Sequence, residues 1–262
     1  MPVAQYAIGP PTRPKNIRHD NGFLDSFARR KPTAKDYEEY ARWISRLEGV
    51  EAIQGVPFVP HNNLPDALAA YRHFLRGNGK DHLFSYERFV SSDPSGAVIL
   101  SSAVLDARQG AELLYGEYFK GQSPVLFQMS GSAIPVGSIR YPSFPYPKTE
   151  NWQKAIGAHV IWLSADVDVE IANGVHSFVM QMTLHAEDRY NFNPGAADIA
   201  SGIPDSANGI FEVTGLAHQY MNTSTINRRV EWVGLGSPQG ISPKRRSTDF
   251  TREKACGQSA HS

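Results

Sequence analysis

The chain has 262 residues, 41% of them hydrophobic and 20% charged, enough for one large domain or two small ones with cores of their own. Its 26 Lys plus Arg balance its 26 Asp plus Glu, which excludes the basic excess that wraps nucleic acid. No apolar run approaches the roughly 18 residues that span a bilayer, and the opening MPVAQYAIGPPTRPK holds no signal-like apolar stretch, so synthesis in the cytoplasm without a signal peptide is expected.

Residues 1–32 are rich in Pro, Arg and Lys and lack periodicity, and they read as an extended arm docked on the body or on a partner. A helical region is expected over 33–122. Its first helix starts at Thr33, which with Asp36 resembles a capping box; Tyr37, Tyr40, Ile44 and Leu47 form the stripe, and Gly49 ends it. The second follows Asn63 as N-cap, carries Leu64, Leu68, Tyr71 and Leu75, and stops at Gly77 and Gly79. Leu100 to Phe119 reads as a third helix, interrupted by Gly110 and Gly116.

From Pro124 the period becomes alternating, and residues 123–236 read as an antiparallel β region. Val125 to Met129 is a short strand, and Pro135, Pro142, Pro145 and Pro147 make 134–149 an irregular connection. His159 to Ile171 alternates, with Val167, Val169 and Ile171 on one face. Asn173-Gly174 then predicts a type I′ turn, and Val175 to Leu184 returns with Phe178, Met180, Met182 and Leu184 on the same face. Asn208-Gly209 is expected to open a strand Ile210 to Leu216, and a turn at Asn222 to Thr225 leads into a last strand, Ile226 to Val233. Residues 237–262, with Lys244, Arg245, Arg246 and the single Cys256, read as a flexible tail; one cysteine excludes an internal disulfide and a thiolate zinc cluster. The expected class is α+β, with N-terminal helices packed on a C-terminal antiparallel sheet, at most a half-open barrel.

Between Leu184 and Ile210 lies one polar connection. Asp188, Asn191, Asn193, Asp198, Asp205 and Asn208 crowd within 21 residues, beside His185 and Glu187. Two explanations stand open. Carboxylate and amide oxygens at this density suit a hard cation such as Mg²⁺ or Ca²⁺. Asp and Asn also satisfy their own backbone in turns, and Asp205 or Asn208 could simply shape the approach to the next strand.

The string Asp188-Arg189-Tyr190-Asn191-Phe192-Asn193 resembles the D-x-Y-D-x-N signature of the colicin M family of bacterial toxins, Mg²⁺-dependent phosphodiesterases that cleave the peptidoglycan precursor lipid II. The wider run, through Ile203-Pro204-Asp205 to Glu212, resembles C-terminal toxin domains of polymorphic and type VI secretion effectors, so the likeness covers about 25 residues. Asn191 stands where the family has its second aspartate, and the family's following His-Arg pair falls on Ala197 and Asp198. The resemblance implies catalytic roles for Asp188, Tyr190 and Asn193; His185, next to the loop by alternation and ordinarily titrating near neutrality, is a candidate general acid or base beside them. The resemblance also implies a metal at Asp188 and Asn191, to which the oxygen-rich connection adds Asp198 as a third candidate ligand.

Other chemistries lack their signals. His159, His176 and His218 form no zinc motif, Ser130-Gly131-Ser132 is no G-x-S-x-G elbow, and no glycine-rich nucleotide loop occurs. The aromatic patch Tyr141, Phe144, Tyr146 and Trp152 reads as packing over the sheet. Two functions follow as expectations. One is an antibacterial effector delivered to the target-cell periplasm, acting on a lipid-linked substrate and matched by an immunity protein. The other is a non-catalytic binding or membrane-perturbing component of a secretion apparatus or phage-related system.

Overall fold

In the computed structural model, which describes residues 1–198 and 201–235, the arm contributes a short strand β1 (Tyr6–Ile8) and one helical turn α1 (Phe23–Ser26). Helix α2 (Ala34–Ala52) begins with the expected reciprocal cap. Asp36 N–H donates to Thr33 Oγ1 at 3.3 Å and Thr33 N–H to Asp36 Oδ2 at 2.7 Å. Gly49 does not end α2, since an interior glycine costs a helix only about 1 kcal/mol. Asn63 is not the cap of α3 (Pro65–Arg76). The first free N–H groups, of Asp66 and Ala67, donate instead to Asn151 Oδ1 at 2.9 and 3.1 Å.

Next come β2 (His82–Leu83), α4 (Tyr86–Ser92) and α5 (Pro94–Leu114), which continues as a π-helical turn over Tyr115–Phe119. The single helix expected at Leu100–Phe119 is therefore longer at its start. Asp93 accepts from Ser95 N–H and Pro94 occupies the first turn, a start signal the apolar pattern alone passed over.

The remaining elements are β3 (Val125–Gly131), β4 (Ile134–Val136), α6 (Glu150–Ala155), β5 (His159–Ala172), β6 (Val175–Tyr190), α7 (Ser206–Thr214) and β7 (Tyr220–Val233). Asn173 and Gly174 have φ of 53° and 75°, both positive, as a type I′ turn requires. The sheet runs β1-β3-β5-β6-β7-β2, with β4 also on β5; β2 is parallel to β7 and the other pairs are antiparallel. Its edges are strands of three and two residues that do not meet, so the fold is α+β as expected, with a mixed sheet not closed into a barrel.

Three further expectations are corrected. The return strand does not stop at Leu184 but pairs to Tyr190, which places Asp188 on a strand. Ile210 to Leu216 is not a strand. Ser206–Thr214 is helix α7, ended by Gly215 at φ 73°. Asn222 to Thr225 is not a turn but the middle of β7. Lys244, Arg245, Arg246 and Cys256 lie outside the described residues.

One face of the sheet is covered by α5. Ile99, Ala103, Ala107 and Ala111 meet Val167, Val169, Met180 and Met182, all fully or almost fully buried. Small residues on α5 let helix and sheet approach closely, and Gly110 leaves its space to the Tyr6 ring. A second core, with Leu47, Leu68, Phe74, Phe211 and Tyr220, joins α2, α3 and α7 to the end of β7. The candidate site lies beside this second core.

Candidate active site

Alternation along β6 decides what each residue near its end can reach. Leu184 and Ala186 point to the helix-covered face, and Asp188 and Tyr190 share their parity. Past Ala186 the covering helices part and leave a cleft of about 890 Å³. Asp188, Tyr190, Asn191, Asn193, Asp198 and Asp205 all line it. Its opposite wall is apolar, built from Trp43, Leu47, Val50, Leu64 and Leu68 of the α2–α3 pair. One wall can therefore take hydrocarbon while the other meets polar atoms.

Asp188 is half-buried and lines the cleft, and its carboxyl accepts from the Arg189 backbone N–H. Loss of water around it pushes its ionisation up to about 8, a rise the N–H bond opposes and the nearby Asp20 carboxylate reinforces. No lysine or arginine pairs with it among the described residues. Tyr190 stacks on Tyr220, centroids 5.2 Å apart and planes 9° from parallel. Burial first, and then Asp188, keep the Tyr190 phenol protonated; the same causes act on Tyr146, also in the cleft. Both phenols are neutral donors beside a carboxyl.

The other expected residues divide. Asn191 donates its amide N–H to the Asp20 carbonyl at 3.0 Å and to Asp20 Oδ1 at 2.8 Å. Asn193 N–H donates to Asp205 Oδ2 at 2.9 Å, and Gly209 N–H to the Asp205 carbonyl at 2.8 Å, so Asp205 shapes the connection into α7. Asn208 Oδ1 accepts from Tyr71 O–H at 2.6 Å and is structural as well. Asp198 is already engaged, accepting from Lys154 Nζ at 3.0 Å and from Ser201 N–H at 2.6 Å. Among the described residues no three His, Cys, Asp or Glu side chains converge to hold a metal.

His185 has the opposite parity and does not line the cleft. It stacks on Trp162 at 3.6 Å and 4°, with Nε2 3.0 Å from Ser164 Oγ, and burial pushes its ionisation down to about 4. At neutral pH it is an uncharged packing residue on the far face. His159 is likewise a core histidine, 2.9 Å from Tyr86 O–H and pushed down to about 4 by burial.

Sequence reasoning missed the residues that other elements bring in. Asp20 comes from the arm, Lys154 from α6 and Arg46 from α2, where its guanidinium lies 4.6 Å over the Trp43 ring. Glu212 of α7 was read as a strand residue. It is 2% exposed, accepts from Phe192 N–H at 3.2 Å through Oε1, and has no partner for Oε2; burial pushes its ionisation up to about 8. No helix of the described residues is long and apolar enough to cross a membrane.

No protein-family model matches the sequence, and no curated protein matches it. Among solved structures, PaeM, a colicin M-like bacteriocin produced by Pseudomonas aeruginosa, matches 70% of this chain at 18% identity with a TM-score of 0.37. The match spans 57% of that bacteriocin's length. This is a weak likeness at the level of the fold, and it assigns no residue a role.

Proposed function

We propose that the chain is an antibacterial toxin that acts at the cell envelope, with the Asp188 cleft hydrolysing a phosphodiester or pyrophosphate in a lipid-linked substrate. The observation that carries this reading is a carboxyl without a cationic partner among the described residues, in a cleft that is also lined by apolar side chains of α2 and α3. A head group bearing phosphates and a lipid tail has the same two-sided character. The Asp188 to Asn193 signature supports the same chemistry.

Asp188 and Asp20 are the donors that fit a hard cation, since both line the cleft and the Asp20 carboxylate raises the cost of ionising Asp188, a cost that a bound cation reverses. With Asp198 taken by Lys154, the fit is to an ion that keeps several waters, as Mg²⁺ does, rather than to a closed protein cage. When bound, such an ion neutralises charge developing on a phosphoryl oxygen. The chain's own groups do the rest. Tyr146 and Tyr190 offer neutral O–H donors, Lys154 and Arg46 bring positive charge to the cleft, and the apolar wall orients the tail. Asp188 holds the ion or accepts a proton from the attacking water.

A second reading keeps the cleft and drops the chemistry. It is favoured by the lack of a convergent metal cluster among the described residues and by the position of His185 on the far face. The cleft then binds a partner or ligand within a secretion or phage-related assembly.

One experiment separates the two. The chain is expressed with and without a periplasmic export signal in a susceptible bacterium. Lysis only on export, lost in Asp188→Ala and accompanied by chelator-sensitive cleavage of a lipid-linked pyrophosphate in vitro, supports the enzyme. Toxicity untouched by Asp188→Ala supports binding. Harmlessness in both compartments removes the toxin reading.

A further inference from the structure

We infer that the connection between α2 and α3, residues 53–64, is a membrane-docking loop whose apolar tip inserts Phe58 into a phospholipid surface beside the cleft. The choice of occupant rests on the reading of a lipid-linked substrate. The loop itself plays no part in that reading.

The tip is Val56-Pro57-Phe58-Val59-Pro60, five apolar residues in a row. The Phe58 ring stands wholly in solvent, at 104% relative exposure, and Val56 is 42% exposed. Pro57 and Pro60 are exposed as well. Apolar residues scattered singly over a surface are ordinary, but a contiguous run with an aromatic ring at its apex marks an interaction site.

The protrusion is built rather than loose. Gly55 N–H donates to the Asn62 carbonyl at 2.7 Å and Val56 N–H to the Ile53 carbonyl at 3.1 Å, which closes the neck. Gln54 cross-links that neck. Its amide donates to the carbonyls of Val50 at 2.9 Å and His61 at 2.8 Å, and its Oε1 accepts from Leu64 N–H at 2.7 Å. The Asn62 amide donates to the Val56 carbonyl. Phe58 and His61 hold φ of 63° and 60°, left-handed values that carry a steric cost for bulky side chains. The bonds of the neck offset that cost while the ring stays out of the α2–α3 core.

The tip also suits a medium without water. Pro57 and Pro60 have no N–H, which leaves Phe58 and Val59 as the backbone donors of that stretch. Each backbone group taken unpaired into hydrocarbon is penalised, so a tip with few donors and no charged side chain meets little resistance. One ring and its flanking residues reach the boundary between head groups and acyl chains, which is docking rather than spanning.

Position ties the loop to the cleft. Ile53 and Leu64, at its two ends, line the cleft with Val50 and Leu47, and so does His61, three positions after Phe58. One segment thus supplies both the exposed tip and part of the apolar lining. His61 Nδ1 lies 2.8 Å from Glu150 Oε1, which fastens the loop to α6. Arg46 lines the same cleft from α2 with its guanidinium over Trp43, a pairing suited to the head-group layer.

The test is flotation of the full chain with vesicles of phosphatidylethanolamine and phosphatidylglycerol, without substrate. Wild type is expected to float, and Phe58→Ser to bind about tenfold more weakly or worse, the transfer value of one large apolar side chain. Phe58→Trp is expected to bind as wild type does and to add emission that brominated acyl chains quench. An unchanged melting temperature for Phe58→Ser separates lost docking from lost fold, since the ring packs on nothing. Wild type that stays with the vesicle-free fraction overturns the inference. So does Phe58→Ser that floats like wild type, or added emission that the bromines leave unquenched. A wild-type dimer that Phe58→Ser converts to monomer, without flotation, gives the tip to a second copy and also overturns it. Cleavage of a soluble, short-chain pyrophosphate is read separately, and Phe58→Ser should leave it unchanged; its loss would place Phe58 in the site and refute docking. Cleavage that is absent, or indifferent to Asp188→Ala, defeats the enzyme reading and leaves docking to be decided by flotation alone.

Discussion

Glu187 and Asp188 are neighbours in sequence whose carboxyls stand on opposite faces of one strand and in opposite electrostatic states. Burial alone would raise Glu187, but hydrogen bonds from His19 and Arg13 hold its ionisation down to about 2. Burial raises Asp188 to about 8, with no cationic side chain paired to it among the described residues. The strand thus carries a paired anion on one side and, on the other, a carboxyl that burial favours in its protonated form.

Asp188 makes stability fall as pH rises. Its folded-state value of about 8 lies above the ordinary 3.8, so its contribution is complete below about pH 4 and is lost as pH climbs through 8. Asp188→Asn should melt no higher than wild type near pH 4 and several degrees higher at pH 8, equivalent to about 1–2 kcal/mol once the water in the cleft is allowed for. Mg²⁺ should close part of that gap for wild type alone. Calorimetry across this range checks it, and a gap independent of pH would contradict it.

Glu187 acts in the opposite sense. Its value of about 2 lies below the ordinary 4.5, so its stabilisation is present above about pH 4.5 and disappears as pH falls toward 2. Glu187→Gln should cost about 1.5–3 kcal/mol at pH 7 and flatten the acid limb of the stability profile. Urea titrations at pH 7 and pH 3 measure both effects.

Gly22→Ala should release the arm. The substitution combines a left-handed backbone with a Cβ 2.1 Å from the Phe192 carbonyl oxygen, and about 2 kcal/mol is the expected loss. Hydrogen exchange at Phe23 N–H, which donates to that carbonyl, should accelerate before global unfolding does.

Lys154→Ala should loosen the polar connection with little effect on stability, under about 1 kcal/mol, since Lys154 and Asp198 are a partly exposed pair. The readout is faster proteolysis within 191–198 at an unchanged melting temperature.

The central hairpin was legible because Val167, Val169, Phe178 and Met180 alternate without interruption and Asn173-Gly174 names its turn. The motif residues were legible too, and extending the parity of Leu184 to Asp188 and Tyr190 gives the wall they occupy. That the wall opens on a cleft was not legible, because it depends on where α2 and α3 stop covering it. The helix at Ser206–Thr214 is hidden because Asn208-Gly209 reads as a turn pair that opens a strand, and Gly209 also weakens a helix locally. Here the seat it offers Phe23 overrides that cost, and Gly215 was the unused sign of a helix end. Asn222 was read as a turn former, yet it is 1% exposed in β7, bonded to His82 Nδ1 at 2.8 Å and to the Ala155 carbonyl at 3.2 Å. Asp20 gave no signal at all. Its importance comes from contacts 171 positions away.

That separation has a bearing on when the molecule becomes competent. The bond between Arg13 and Glu187 joins positions 174 apart and cannot form before Glu187 of β6 has been synthesised. Closing so long a loop late in folding leaves every earlier species, including the nascent chain, with Asp20 far from Asp188. Closure of the cleft around Asp188 and completion of the fold then arrive in the same event.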